Sequence, residues 1–186
     1  IKEAKKPLII FGQSALRSNS AKYIFESMKM FLNKNNKISN EWNSLNVISE
    51  NASSVGSYDL GIYKSKDGSN EILEDLEKNK FEIIYLLGQD SLKFKKKNEF
   101  IIYQGSHGDN GAEMADIILP GAAYTEQNGY FTNLEGKLQK AYKASYPPEN
   151  AKEDWQIINE LAEAMNHRKL FNDKDELDSS LLNQIN

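Results

Sequence analysis

The chain has 186 residues, room for one compact domain and an appendage. Apolar residues at 39% and charged residues at 27% permit a packed core and argue against wholesale disorder. A net charge of −4 argues against a nucleic-acid surface, and the lack of cysteine excludes a disulfide framework, a thiolate zinc site and a Cys-ligated iron–sulfur cluster within these residues.

In chain order, Pro7-Leu8-Ile9-Ile10-Phe11 is a continuous apolar run ending at Gly12, the pattern of a parallel strand covered on both faces. Over 20–32, Ile24, Phe25, Met28, Phe31 and Leu32 fall on one helical stripe, with Ser18, Asn19 or Ser20 placed to cap its start. Strand, glycine turn and helix open a βαβ unit. Residues 33–40 are polar loop, and Leu45-Asn46-Val47-Ile48 is a second strand. The Ser- and Gly-rich stretch 51–63 has no assignable period. Asp67-Gly68 marks a turn, and Ser69 or Asn70 then caps a short helix carrying Ile72, Leu73 and Leu76.

The clearest strand lies in 81–87, ending at Gly88, and Phe100-Ile101-Ile102-Tyr103 is another, ending at Gly105. Between them Lys95-Lys96-Lys97, the longest basic run, reads as a solvated loop or helix end. Asp116-Ile117-Ile118-Leu119 is a short strand stopped by Pro120-Gly121. Together these predict an α/β fold with an open, mostly parallel, Rossmann-like sheet and helices on both faces over residues 1–120. Beyond Pro120 the texture changes. Asn128-Gly129 and Leu134-Glu135-Gly136 bracket Tyr130-Phe131-Thr132, which reads as extended chain or a hairpin. Pro147-Pro148 breaks the chain, and Trp155, Ile158, Leu161, Ala162 and Met165 mark a last amphipathic helix over 152–167. Residues 121–170 therefore pack on the sheet domain as extended segment plus helix, and 171–186 are expected to be a disordered tail.

Two glycine loops are the candidate ligand sites. Gly12-Gln13-Ser14-Ala15 joins a strand to a helix, a place where an anion can sit. The G-x-G-x-x-G and P-loop lysine patterns are both absent, so a plain turn is expected. Gly105-Ser106-His107-Gly108-Asp109-Asn110-Gly111 is the densest glycine stretch, able to turn backbone N–H groups toward a ligand. His107 and Asp109 could form an acid–base pair, but residues two apart need not face each other and no nucleophile motif lies nearby. Glu113, Asp116 and Glu126 are assigned to surface or caps, Asp116 anchoring the turn into the strand that follows it. No catalytic or metal-ligating residue is predicted: His107 and His167 are far apart, and no EF-hand spacing occurs.

No apolar stretch reaches the about 18 residues that cross a bilayer. No signal peptide precedes the first strand, so a reducing, soluble compartment is expected. The chain starts at Ile1, as a piece of a longer polypeptide would.

A resemblance carries the reading further. The words Tyr103-Gln104-Gly105-Ser106-His107-Gly108-Asp109, Ala115-Asp116-Ile117-Ile118-Leu119-Pro120-Gly121-Ala122-Ala123-Tyr124-Thr125-Glu126, Asn133-Leu134-Glu135-Gly136-Lys137-Leu138-Gln139 and Glu153-Asp154-Trp155 follow in order. They resemble the C-terminal part of the large iron–sulfur (G) subunit family of respiratory NADH–quinone oxidoreductase, complex I, within the molybdopterin oxidoreductase superfamily. Residues 7–16 resemble the opening of the preceding βαβ unit. One departure is Lys137, where the family commonly has Arg, whose planar fork binds phosphate bidentately.

The resemblance implies a non-catalytic structural and interaction domain in a subunit serving NADH-to-quinone electron transfer in a proton-translocating oxidoreductase. No cofactor is expected in this segment, the iron–sulfur clusters lying upstream, and Gly12, Ser14, Gly105, His107, Gly108 and Asp109 become vestigial loop residues. Implied partners are the N-terminal cluster-binding part of the same subunit and other peripheral-arm subunits. Nucleic acid and direct membrane insertion are not among them. The implied location is the cytoplasmic side of a bacterial inner membrane, or the matrix side in a mitochondrion. The alternative is the pterin-binding domain of an active molybdopterin oxidoreductase, with contacts at 12–15 and 105–111. A free nucleotide-binding protein is a third reading.

Overall fold

The structure is a computed structural model and describes residues 1–49, 51–62 and 71–185. The Asp67-Gly68 turn and the cap at Ser69 or Asn70 lie outside the described residues. The fold is α/β with parallel strands, as the apolar runs predicted. Hydrogen bonding groups those strands into a parallel pair and a parallel triplet, with a separate two-stranded hairpin. The chain divides into two compact units, 1–57 with 131–138, and 58–130 with 139–186. The expected boundary at residue 120 does not coincide with a border between them. The triplet continues past Pro120 into residues 121–152, because Gly121 N–H donates to Gly105 O at 2.9 Å and Ala122 N–H to Lys152 O at 2.8 Å.

In the first unit β1 (Ile9–Gly12) pairs with β2 (Leu45–Ile48), and α1 (Ala21–Lys34) follows β1 after a single 3-10 segment, Gln13–Arg17. Most of the stripe read from the sequence faces inward: Leu32 is buried, and Phe25 meets Phe11 of β1 edge to face at 5.9 Å, whereas Ile24 is exposed. Ser20 holds the N-cap position of α1 but makes no side-chain cap bond. Ser18 Oγ turns back to Ala15 O instead. The unassigned stretch after β2 contains a short helix, α2 (Ser54–Asp59), and Ser53 Oγ there accepts the Thr132 N–H at 3.1 Å.

In the second unit α3 (Glu71–Glu77) precedes β3 (Ile83–Leu87), which pairs in parallel with β4 (Phe100–Gly105), and β4 with β5 (Ile117–Pro120). The register sets Ile84 beside Ile101 and Leu86 beside Tyr103, so these four share one face. Leu86, Ile101 and Tyr103 are the buried core there, packed by Leu92, Phe94 and by Ala112 and Met114 of α4 (Asn110–Met114).

The Lys95-Lys96-Lys97 run is loop, yet it is not merely solvated. Lys96 Nζ reaches Met114 O at 3.1 Å and Asp116 at 2.6 Å, and Lys97 Nζ reaches Glu77 O at 2.6 Å. The hairpin is β6 (Gly129–Thr132) and β7 (Leu138–Ala141), and α5 (Asp154–Ala164) is the predicted amphipathic helix.

The expected disordered tail is corrected. Residues 174–185 form α6 (Lys174–Ile185), with Asp173 Oδ1 accepting the Glu176 N–H at 2.9 Å at its start. The helix is held by Asp178, 6% exposed, which pairs with Lys140 at 3.1 Å and Lys174 at 3.4 Å.

Candidate functional site

In parallel α/β sheets ligands gather at the carboxyl ends of the strands. β4 ends at Gly105 and β5 at Pro120, and a cleft of about 520 Å³ opens there. Its lining includes Ser106, His107, Gly121, Ala123, Glu126 and residues 148–151.

What lies beneath the cleft explains its glycines. Tyr103 is 1% exposed, and its hydroxyl donates toward Asp90 Oδ2 and His107 O, each at 2.7 Å. Burial, and then the bond to the Asp90 carboxylate, push its pKa up to about 12, so the phenol stays a donor at neutral pH. A Cβ on Gly105 would collide with that hydroxyl and ring. On Gly111 it would stand 2.8 Å from the Tyr103 ring and 2.7 Å from Gln89 O. Both glycines therefore make room for Tyr103, a role internal to the fold.

A second network runs from β3 through the end of β4 to the start of α5. Tyr85 donates its hydroxyl to Gln104, which is fully buried, and Gln104 Nε2 donates to Asp154 Oδ1 at 2.8 Å. Burial and the nearby Asp154 raise the Tyr85 pKa. A Cβ on Gly121 would meet Asp154 Oδ1 at 2.9 Å, so a side chain there would push on the carboxylate that holds Gln104. Sequence reading missed Tyr85, Gln104 and Asp154 as a set. A glutamine ending an otherwise apolar buried strand was the available signal.

The predicted site residues scatter. Gly105 and His107 line the cleft. His107 Nδ1 pairs with Ser106 Oγ at 2.9 Å, not with Asp109. Asp109 holds the N-cap position of α4 without a side-chain cap bond, and nothing stands within 4 Å of a Cβ on Gly108. Gly12 and Ser14 belong to the other unit. Gly12 is extended, at φ −73° and ψ 145°, so no left-handed turn demands glycine there.

The scattered carboxylates behave as caps and anchors. Asp116 Oδ2 accepts the Ile101 N–H at 2.8 Å while its own N–H donates to Ile101 O at 2.8 Å. The Ile101 N–H and the Lys96 ammonium hold its carboxyl below the ordinary 3.8. A depressed pKa contributes stability that is present above the unfolded value and is lost as pH falls through the folded one. Asp116 is thus an anchor at neutral pH, as expected. Glu126 Oε2 accepts the Ala123 N–H at 2.9 Å, and Ala123 O accepts the Glu126 N–H at 2.8 Å.

Against known proteins, the molybdopterin oxidoreductase family matches residues 1–164. The G subunit of NADH-quinone oxidoreductase from Rickettsia bellii is 43% identical over 182 residues, 97% of this chain and 25% of that protein. The NADH-ubiquinone oxidoreductase 75 kDa subunit of Reclinomonas americana is 42% identical over 167 residues, 89% of this chain and 24% of that protein. The mitochondrial 78 kDa subunit of Candida albicans is 42% identical over 174 residues, 92% of this chain and 23% of that protein. The chain spans about a quarter of the length of these relatives.

Proposed function

We propose, from the premise that this chain belongs to the molybdopterin oxidoreductase family, that it is a non-catalytic structural and interaction domain of the iron–sulfur subunit of an NADH–quinone oxidoreductase. The similarity to proteins named as the G subunit and as the 75 and 78 kDa subunits supports the parent assignment. The observation that carries the non-catalytic reading is the use of Gly105, Gly111 and Gly121 to accommodate Tyr103 and Asp154. Glycines at strand ends serve ligands when they leave backbone N–H groups and open space facing outward. Here the space a Cβ would fill is already taken from inside the fold.

A pterin nucleotide, the group the family name implies, fits these residues poorly. Its phosphates call for cations or converging N–H donors. The ionisable side chains lining the cleft are His107, Glu126 and Glu149, with no Lys or Arg among the lining residues. Lys137 stands exposed in the loop of the hairpin. Without cysteine, the segment holds no thiolate for an iron–sulfur cluster, so electrons pass elsewhere in the subunit.

Several apolar side chains on the triplet, Ile83, Leu87, Phe100 and Ile117, are exposed, and surfaces of this kind support an interaction role. The partners we assign are the cluster-bearing part of the same subunit and neighbouring peripheral-arm subunits, on the cytoplasmic or matrix side of the membrane. No helix among the described residues is long and apolar enough to cross a membrane.

Asp116→Asn in the assembled oxidoreductase separates anchor from catalyst. The expected outcome is less assembled complex with unchanged NADH oxidation per assembled complex, measured on the purified enzyme. Normal assembly with lost turnover would contradict the proposal.

A further inference from the structure

We infer that the unburied apolar stripe of α5 receives an amphipathic helix of a neighbouring subunit, one that sets a carboxylate against Arg168. This deepens the interaction reading above and rests on it. Ile158, Leu161, Ala162 and Met165 give α5 its 3.6-residue period. The fold does not bury that stripe. It buries Ile157 and Asn159 instead. The stripe lines a groove of about 380 Å³, large enough to take several side chains, and Leu170 completes the lining. Met165 is 60% exposed and Leu170 53%. The groove is already formed, because Asn159 Oδ1 accepts the Leu170 and Phe171 N–H groups and its Nδ2 donates to Phe171 O. Apolar residues at i, i+3, i+4 and i+7 offer ridges and grooves that fit those of another helix.

The charge beside the groove selects the kind of helix. His167, Arg168 and Lys169 follow one another at its end. Arg168 lines both the groove and an adjoining polar pocket that also holds Lys169, Asn172 and Glu176. The acids nearby are engaged. Lys152 binds Glu160 at 2.7 Å, the N–H and side-chain amide of Asn172 bind Glu176 at 2.7 and 2.9 Å, and Glu163 stands 3.9 Å from Lys169. Among the described residues Arg168 has no ion-pair partner. A guanidinium without a countercharge, at the edge of an apolar groove, favours a carboxylate flanked by apolar side chains and repels a cation. Only Arg17 and Arg168 among the 23 cationic side chains are arginine, and a planar fork is what bidentate carboxylate binding uses. The family match ends at residue 164, so the basic run at 167–169 lies beyond the matched domain. That favours a neighbouring subunit over a contact inside the body common to the family.

Photo-cross-linking in the assembled oxidoreductase tests this, with p-benzoylphenylalanine in place of Met165 and the linked peptides identified by mass spectrometry. The expected result is one linked segment in another subunit, with apolar residues at three- and four-residue spacing and an Asp or Glu among them. Arg168→Glu should cut the cross-link yield about tenfold, and exchanging the linked carboxylate for lysine should restore it in that variant. Arg168→Gln is the second variant should Arg168→Glu prevent assembly, with a loss of about threefold expected. A cross-link to lipid, to a second copy of this chain, to another part of the same polypeptide or to a segment without a carboxylate overturns the inference. A yield indifferent to both variants does the same. No cross-link in a complex that still holds this chain overturns the inference and leaves the interaction domain standing. Recovery of the chain free of every other subunit overturns the interaction reading as well.

Discussion

Tyr103 shapes its neighbours from inside the second unit. Its hydroxyl joins Asp90 to His107, and its ring and oxygen occupy the volume that a side chain at 105 or 111 would need. Gly105, Gly108 and Gly111 lie within seven residues between the end of β4 and the first turn of α4, yet they are not equivalent. Gly111→Ala places a Cβ 2.7 Å from a backbone oxygen that cannot swing away, so an overpacking cost of about 1–3 kcal/mol is expected. Gly108→Ala points into open space and should stay within about 0.5 kcal/mol of the parent chain. Denaturant unfolding of both variants checks the contrast. Equal effects would mean that Tyr103 does not set the glycine requirement.

At the scale of elements, α6 is tied down by an ion-pair cluster. Asp178 sits buried between Lys140, which extends from β7, and Lys174 one turn earlier on α6. Lys140 also lies 5.2 Å over the Tyr130 ring, and its pKa is raised by the bond to Asp178 and by Tyr130. Asp178→Ala should therefore speed amide exchange across 174–185 while leaving β4 as protected as before. Unchanged exchange in α6 would show that its leucines alone suffice.

This helix also marks where sequence reading runs out. Four of the five parallel strands were legible because short apolar runs stopped by glycine or proline are a local signal, while β2 (Leu45–Ile48), interrupted by Asn46, was legible from its β-branched and apolar residues alone. Helices α1 and α5 were legible as helices by their 3.6-residue stripe, although the residues α5 buries are Ile157 and Asn159, outside the stripe, and Met165 is exposed. α6 was not: its apolar residues are diluted by Asp, Ser and Asn, and the contact that stabilises it comes from Lys140, 38 positions away. The candidate site was half legible for the same reason. The glycine loop announced itself, but its meaning depended on Tyr103, Gln104 and Asp154 meeting in space, and the Gln104–Asp154 bond spans 50 positions.

Over the whole molecule, the family match and the chemistry of the site pull in different directions. The family matched over residues 1–164 is named for a molybdopterin group. The cleft lining is acidic, its glycines are engaged from within, and the segment has no cysteine. A fold outlasts the site once grafted on it, and function must be argued from the site. On the proposed function, the architecture persists while its surface serves protein partners.

The most direct test is elemental and pterin analysis of the natively purified oxidoreductase that contains this chain. The account predicts iron and sulfide with molybdenum, tungsten and pterin below stoichiometric levels. One molybdenum or tungsten per subunit, recovered together with a pterin, would contradict it.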